Sequence, residues 1–467
     1  MNFKVIGNRE FKAISPIVIP ILLLAISKLL TWIAFPSASL HPDSPSYSAG
    51  EKWSFDLVSF LGNSGRPWPV TLFYALFPND SVRILAQLTV SALVWSYLIF
   101  VIKHIEVTSK TKFLIAILIS IVGSSPVVTQ WDTTILATSL MLSTSIIIVS
   151  LLIRMLFTSV FRVRHFFALL FLIIFLYMQK LSNAPITAVL LIFVVLSNRE
   201  ILRKRFRLMV PIVLCWLIAW GTIVGLNINN SWEKSYSGAT LLWQLGSQSP
   251  ASTNFKEYLE SQADVPSCIY SDAPFKDLNE SIARISKSCP NSVEYLNDGI
   301  QGDFLNFIIT SPKSVIKLIS IGVGASFTNT SSHYGRSVSV FPSAATSLIS
   351  GDVAPDLRFS TAESQEEAYA ELNSGEPQWL HLPILGILLM AFLLLLLSQS
   401  FSTKERFGSF VLILANLMQM TANYVLLPSE WVRQGAPFAF ALLAISIIVV
   451  ARGLKNIYNP ESLEASR

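Results

Sequence analysis

Two aspartates border long apolar runs, where a carboxylate could act as a general base. Asp43 lies in HPDSPSYSAG, directly after the first run, and Asp132 lies in SSPVVTQWDTTILATSL, directly before the fourth. A positioned carboxylate can take the proton of an attacking hydroxyl. A structural interpretation also stays open for each. Asp43 is surrounded by turn-forming residues, and Asp132 could be the N-cap of the following helix.

A few cations occur at the same ends of the apolar runs. Arg66, Lys180 and Arg433 each lie close to a Pro, an Asn or an aromatic residue. Arg binds phosphate oxygens through paired hydrogen bonds, so these residues are candidates for a phosphate site, with solvated rim charges as the alternative. Lys28 lies inside the first run, about two turns before its end. It could reach outward to the same phosphate or pair with Asp43 or Asp132.

The motifs of many soluble enzymes are missing from this sequence. It contains no phosphate-binding Gly loop, no Cys/His spacing of the zinc type and no nucleophile elbow. We predict no dedicated metal site and no certain cofactor, although the two aspartates together could hold a divalent cation.

The elements that must position these residues are predicted to be membrane-spanning helices. The chain is 52% hydrophobic and only 13% charged, with a mean hydropathy of +0.55, whereas soluble domains carry about 25% charged residues. We therefore predict an all-α polytopic membrane protein with about ten transmembrane helices. The predicted spans are 15–35, 81–102, 113–124, 134–157, 166–179, 185–197, 209–227, 380–398, 408–427 and 435–451.

The distribution of Lys and Arg predicts the orientation of these spans. With the N-terminus inside, the inner segments hold most of the basic residues, and the shorter outer loops hold only Lys52, Arg66, Lys180 and Arg433. This asymmetry is the positive-inside pattern, and it predicts that both termini lie inside. It also accounts for the net charge of +5, so nucleic acid is not an expected partner. The expected location is the cell (inner) membrane.

The predicted organisation has three parts. Residues 1–227 form an N-terminal membrane domain with spans one to seven and the outer loops 36–80 and 125–133. Residues 228–379 form a large outer loop domain, and residues 380–467 hold the last three spans and a tail. EKWSFDLVSFLG in the first outer loop predicts a helix on the membrane surface. GDFLNFIITSPKSVIKLISIGVGASF in the large loop predicts an amphipathic or re-entrant element.

The large outer loop holds two of the three cysteines, Cys268 and Cys289. In an oxidising compartment these two could form a disulfide, which would contribute about 3 kcal/mol to stability. Two free thiols are the alternative.

Several outer segments resemble a family of polytopic glycosyltransferases, the GT-C superfamily. Its members include the lipid A aminoarabinose transferase and enzymes similar to protein O-mannosyltransferases. The resemblance rests on an Asp-Ser-x-x-Tyr pattern (Asp43, Ser44, Tyr47), on GRPWPVTLFYAL, on SPVVTQWDTTILATSL and on EWVRQGAPFAFALL before the last span. The chain differs in carrying Thr138-Ser139-Leu140 where related sequences often have Glu-Ser-Leu.

The resemblance implies transfer of a sugar from a polyprenyl-phosphate donor to an acceptor hydroxyl at the outer face. Asp43 would be the catalytic base, and Asp132 would orient the acceptor or assist the base. Tyr47 would belong to the substrate site. The donor phosphate would bind Arg66, Lys180 and Arg433, with Lys28 in reserve. The acceptor could be a lipid, a glycan or a protein, and membrane lipid is a further expected partner.

Two other classes of membrane protein stay open. A polymerase or ligase of lipid-linked glycans would depend on outer Arg and His residues, here His333 and Arg336, and not on Asp43. A transporter or flippase would be expected to show paired repeats with broken helices, and we find no repeat in the sequence. A non-catalytic membrane assembly protein is a further alternative.

Overall fold

The computed structural model describes residues 17–34, 36, 68–77, 79–158, 161–198, 214, 257–262, 295, 299–314, 316, 381–426 and 431–454. These residues are mainly helical and contain no β-strand. In chain order the helices are α1 Val18–Ala34, α2 Trp68–Ala75, α3 Asp80–Ile102, α4 Ser109–Gly123, α5 Pro126–Asp132, α6 Ala137–Phe157, α7 Val163–Gln179, α8 Ala184–Ser197, α9 Ile300–Thr310, α10 His381–Leu397, α11 Thr403–Leu426 and α12 Trp431–Gly453. A 3₁₀ turn, Leu181–Asn183, joins α7 to α8.

Three of these helices are long and apolar enough to cross a membrane. They are α3, α6 and the Gly435–Gly453 part of α12. Four shorter apolar stretches accompany them: Val18–Ala34, Val163–Gln179, Ala184–Ser197 and Ile384–Leu397. The prediction of an α-helical chain with membrane-spanning character is therefore confirmed at this level. The predicted runs coincide with described helices, except for 209–227, which lies outside the described residues apart from residue 214.

Local sequence signals set several helix ends. The side chain of Asn79 accepts a hydrogen bond from the Val82 amide at the start of α3, and Thr108 accepts one from the Thr111 amide at the start of α4. At the start of α11, Ser402 accepts a hydrogen bond from the Glu405 amide, and the Glu405 carboxylate accepts one from the Ser402 amide. Such caps satisfy backbone groups that have no partner within the helix.

α6 lies at the centre of the bundle. Of its membrane-length window, 94% is buried inside the protein, compared with 83% for α12 and 50% for α3. α6 packs against α3, α7 and α12. Peripheral helices keep one exposed apolar side, as at Leu22, Leu23 and Ile26 of α1. A central helix with an exposed apolar ring around it is the arrangement expected of a bundle whose outer surface meets lipid.

Side-chain contacts define two ends of the bundle. The Asp132 end is where α1 and α7 finish and α3, α6 and α8 begin; there the Trp32 indole donates to the Ser81 carbonyl at 3.2 Å. The Arg154 end is where α6 finishes and α11 begins; there the Phe157 and Phe401 rings lie 6.5 Å apart. The two ends differ in their polar side chains, and the difference bears on function.

The structure corrects one structural interpretation of Asp132. Asp132 is the last residue of the short helix α5, and α6 begins only at Ala137, with Leu136 as its N-cap residue and no side-chain cap. The prediction that Asp132 caps the fourth span is therefore wrong. Its carboxylate bonds to side chains, and residues 133–136 connect the two helices.

Parts of both segments that were predicted to be large outer loops are described. After Pro67, α2 covers only eight residues, which is too short to cross a membrane. In the large loop, α9 covers 11 residues and ends before Pro312. The surface helix predicted in 51–62 and the rest of the large loop domain lie outside the described residues, apart from residues 257–262, 295, 299, 311–314 and 316.

Candidate functional site

A buried ion pair lies at the centre of the Asp132 end. The Lys28 ammonium donates to Oδ2 of Asp132 at 2.8 Å, and the Ser139 hydroxyl donates to Oδ1 of the same carboxylate at 2.9 Å. The exposed fraction is 3% for the Lys28 side chain and zero for Asp132. The group therefore joins α1, α5 and α6 through one carboxylate.

The sequence of α1 explains why Lys28 points inward. The buried positions of this helix include Leu24, Ser27, Lys28 and Thr31, a spacing that defines one helix face. The neighbouring Leu29 is on the exposed side. Of the alternatives open from the sequence, the structure therefore shows Lys28 paired with Asp132 and directed into the bundle.

Both oxygens of Asp132 are occupied by hydrogen bonds from the protein. A buried carboxylate needs such partners because removing a charge from water is costly. With no exposed surface, Asp132 has no open path to an acceptor hydroxyl in this conformation. The geometry suits a group that fixes neighbouring segments, and it does not suit a base that meets substrate directly.

Further hydrogen bonds hold the connection between α5 and α6. The Gln87 amide of α3 donates to the Thr134 carbonyl at 3.0 Å, and the Tyr74 hydroxyl of α2 donates to the Leu136 carbonyl at 2.7 Å. Arg83 donates in turn to the Tyr74 carbonyl at 3.1 Å. The bonds from Gln87 and Tyr74 tie the irregular backbone of 133–136 to α3 and α2, and they help to satisfy its polar groups. The connection after Asp132 is therefore held rigidly from two sides.

Two further sets of polar contacts at the same end join α7 to α6 and join the α7–α8 turn to α11. The Gln179 side chain donates to the Thr144 hydroxyl at 2.9 Å. Gln419 of α11 donates to the Ser182 carbonyl at 2.7 Å and accepts from the Ile186 amide at 3.1 Å. These contacts fix the turn that follows Lys180. The Asp132 end thus holds a layer of buried polar side chains contributed by most of the described helices.

The remaining site predictions fall partly outside the described structure. Lys180 is half-buried directly after α7. Arg433 lies in the first turn of α12, and its side chain is outside the description. Asp43, Tyr47, Arg66 and the cysteines Cys268 and Cys289 lie outside the described residues. Their proposed roles stay predictions.

Sequence reasoning missed several members of the buried polar layer. Ser139, Gln87 and Tyr74 are ordinary side chains, and each finds its partner only when separate helices meet. For Ser139 the only signal was its closeness to Asp132 within one short motif. Among the described residues, no group of three or more His, Cys, Asp or Glu is placed to hold a metal ion.

Comparisons with protein-family models, with curated proteins and with solved structures find no match to this chain. The chemistry of the Asp132 end therefore has to be inferred from its own residues.

Proposed function

We propose that this chain is a multi-pass membrane glycosyltransferase of the GT-C type. It would cross the cell (inner) membrane about ten times, with both termini in the cytoplasm. It would move a sugar from a polyprenyl-phosphate donor to an acceptor hydroxyl at the outer face. In this proposal the Asp132 end faces outward and the Arg154 end faces the cytoplasm.

The observation that carries the proposal is the layer of buried polar groups at the Asp132 end. Intramembrane ionisable residues are costly and usually functional, and here Lys28 and Asp132 are held among polar side chains. Asp43 follows α1 closely, and Arg66 comes just before α2. Lys180 follows α7 at the same end, and Arg433 lies in the first turn of α12.

The charges at the opposite end support the orientation. Lys103, Arg154, Lys404, Arg406 and Arg452 all lie at or near the ends of helices there. An excess of Lys and Arg marks the cytoplasmic side of membrane proteins.

The chemistry assigns a separate task to each residue type. Asp43 takes the proton of the acceptor hydroxyl while the hydroxyl oxygen forms a bond to the anomeric carbon. The bond between that carbon and the phosphate oxygen breaks in the same step. Arg66, Lys180 and Arg433 stabilise the departing phosphate. Tyr47 lies beside Asp43 in the motif and would contact the substrate.

Lys28 and Asp132 enter this scheme as positioning residues. Because they bind one another and are buried, they fix the end of α1, from which the segment with Asp43 continues. A 1 Å displacement of a catalytic group can cost about 100-fold in rate. The rigid pair therefore contributes to catalysis through the placement of its neighbours.

The decisive experiment follows the fate of a labelled polyprenyl-phosphate sugar incubated with the purified protein. We expect wild-type protein to bind the donor and to release its sugar to an acceptor or to water, and Asp43→Asn to remain folded without doing so. Asp80→Asn is the matched control, because Asp80 lies at the same end, 43% exposed in an ion pair with Arg83. Full transfer activity in Asp43→Asn would remove Asp43 from the mechanism.

A transporter or flippase of lipid-linked sugars is the second candidate. The buried Lys28–Asp132 pair favours it, since such pairs also occur in proton and ion pathways. Movement of the intact donor across vesicle membranes, without release of sugar, would identify this activity. A glycan polymerase or ligase would instead lose function on substitution of His333 or Arg336 and tolerate Asp43→Asn.

A further inference from the structure

The Arg154 end contains a buried cation that lacks a carboxylate partner. Arg154 is 8% exposed. Its Nη1 donates to the Tyr97 hydroxyl at 3.2 Å, and its buried Nε has no hydrogen-bond partner. Within the described part of the chain, no carboxylate forms an ion pair with it.

Two other arginines of the bundle are paired with carboxylates. Arg83 donates to Asp80 at 2.8 Å, and Arg452 lies 3.3 Å from the Glu405 carboxylate. Leaving a buried guanidinium without an anion is costly. The position of Arg154 in the last turn of α6 gives a favourable interaction with the helix dipole, but that interaction does not satisfy the Nε hydrogen.

Two histidines lie at the same end of the bundle as Arg154. His104 follows α3 and His165 lies in the first turn of α7, and the charge of Arg154 acts on both. Burial lowers the pKa of His104, and the charges of Arg154, Lys103 and Lys112 lower it further. A neutral imidazole still offers one N–H. Nδ1 of His165 accepts from the Arg162 amide, so its Nε2 carries the proton and can donate.

Two helix ends add to the positive potential. α4 and α7 both begin at this end, and neither has an acidic residue in its first turn. Helix N-termini attract anions. Glu106, exposed in the connection between α3 and α4, is the only carboxylate of that connection, so cations predominate there.

We propose that Arg154, with Tyr97, His104 and His165, forms a binding site for a phosphate group, with Lys103 and Lys112 at its rim. Charge-assisted hydrogen bonds from Arg to phosphate oxygens are among the strongest in proteins. Basic pockets between transmembrane helices on the cytoplasmic side bind anionic lipid headgroups. The phosphate could belong to an anionic phospholipid or to a soluble molecule, and the site lies at the other end of the bundle from the proposed transfer chemistry.

The test measures ligand binding by purified full-length protein in a neutral detergent. Phosphatidylglycerol, phosphatidylcholine and inorganic phosphate are titrated separately, and binding is followed by native mass spectrometry and by the shift of the unfolding midpoint. We expect saturable binding of phosphatidylglycerol and a much weaker effect of phosphatidylcholine. Loss of one charge-assisted hydrogen bond in Arg154→Gln should raise the Kd about tenfold or more.

Additional variants keep the test valid if Arg154→Gln does not fold. The double substitution His104→Gln and Lys112→Gln changes only partly exposed residues, and it should raise the Kd several-fold. Lys404→Gln is the matched control, since Lys404 is an exposed cation at the same end, and it should leave the Kd unchanged.

The separate titrations with phospholipid and with inorganic phosphate distinguish the two sources of the phosphate group. Binding of inorganic phosphate that is lost in the same variants supports the site with a soluble source, whereas lipid-only binding supports it with a phospholipid. Equal affinity of all the variants for phosphatidylglycerol, or no preference for it over phosphatidylcholine together with no phosphate binding, would overturn the proposal.

Discussion

The ion pair of Lys28 with Asp132 gives the most direct quantitative prediction. At the observed separation of 2.8 Å, two unit charges attract by about 6 kcal/mol at an effective dielectric constant of about 20. Much of this attraction offsets the desolvation of the two groups, so the net contribution of the pair is small. Removing one partner is different, because it leaves a buried charge uncompensated. We therefore expect Lys28→Met to lower the free energy of unfolding by about 3–5 kcal/mol.

A double-mutant cycle separates the pair from its surroundings. Asp132→Asn alone should also destabilise, since Lys28 then lacks its counter-charge. The variant with both substitutions should be less destabilised than the sum of the single variants, with a coupling energy of about 2 kcal/mol or more. Denaturation of the purified protein in mixed micelles, followed by its tryptophan fluorescence, measures these energies.

The exposed ion pair at the start of α3 is the control for this cycle. Asp80 is 43% exposed, so solvent screens its interaction with Arg83. Asp80→Asn should therefore cost about 1 kcal/mol or less. Single substitutions at Lys28 and Asp132 that cost as little as this control, or a double variant equal to their sum, would refute the reasoning from burial.

Three further predictions concern packing and titration. Gln419→Leu removes the partner of the Ser182 carbonyl and of the Ile186 amide, and it should lower the free energy of unfolding by about 1–3 kcal/mol. Asn416→Leu removes only a bond within its own helix, so it should lower that free energy less in the same denaturation experiment. Gly123→Ala places a Cβ 2.9 Å from a tryptophan ring, whereas a Cβ at Gly386 meets nothing within 4 Å. Gly123→Ala should therefore lower the free energy of unfolding by about 1–3 kcal/mol, and Gly386→Ala should not lower it. Equal stabilities of the two variants would contradict the packing around Gly123. Burial, and then a hydrogen bond to a nearby aspartate, raise the pKa of Tyr295, so its contribution to stability is present below about pH 10 and is lost as the pH rises through the folded-state pKa. In a spectrophotometric titration, Tyr295→Phe should remove tyrosinate absorbance only at pH values well above about 10. Loss of tyrosinate absorbance near about pH 10 in this variant would contradict the prediction.

The helical runs could be predicted because their cause is local. Long apolar stretches between turn and cap residues predict helices without knowledge of their neighbours, and α3, α7 and α8 begin and end within a few residues of the predicted spans. The start of α6 differed by three residues, because the conformation of 133–136 depends on Gln87 and Tyr74, which come from other helices. No local pattern carries that information.

The site could be predicted only as a set of candidates. The sequence marked Lys28 as a charge inside an apolar run, but it could not choose between an outward phosphate, Asp43 and Asp132. That choice depends on how α1 lies against α5. Ser139 is a similar case, since serine is common in membrane helices. Residue types and topology suggest which side chains are important, whereas tertiary packing decides which ones meet.

The enclosure of α6 has a consequence for how the protein is made. Its membrane-length window is 94% buried, and one of the helices that cover it is α12, the last described in the chain. During synthesis α6 must therefore enter the membrane long before the side that packs against α12 is covered. Until the final helix arrives, lipid or an insertion chaperone has to shield that side. We expect a chain truncated before residue 431 to retain the earlier helices and to leave that side of α6 uncovered.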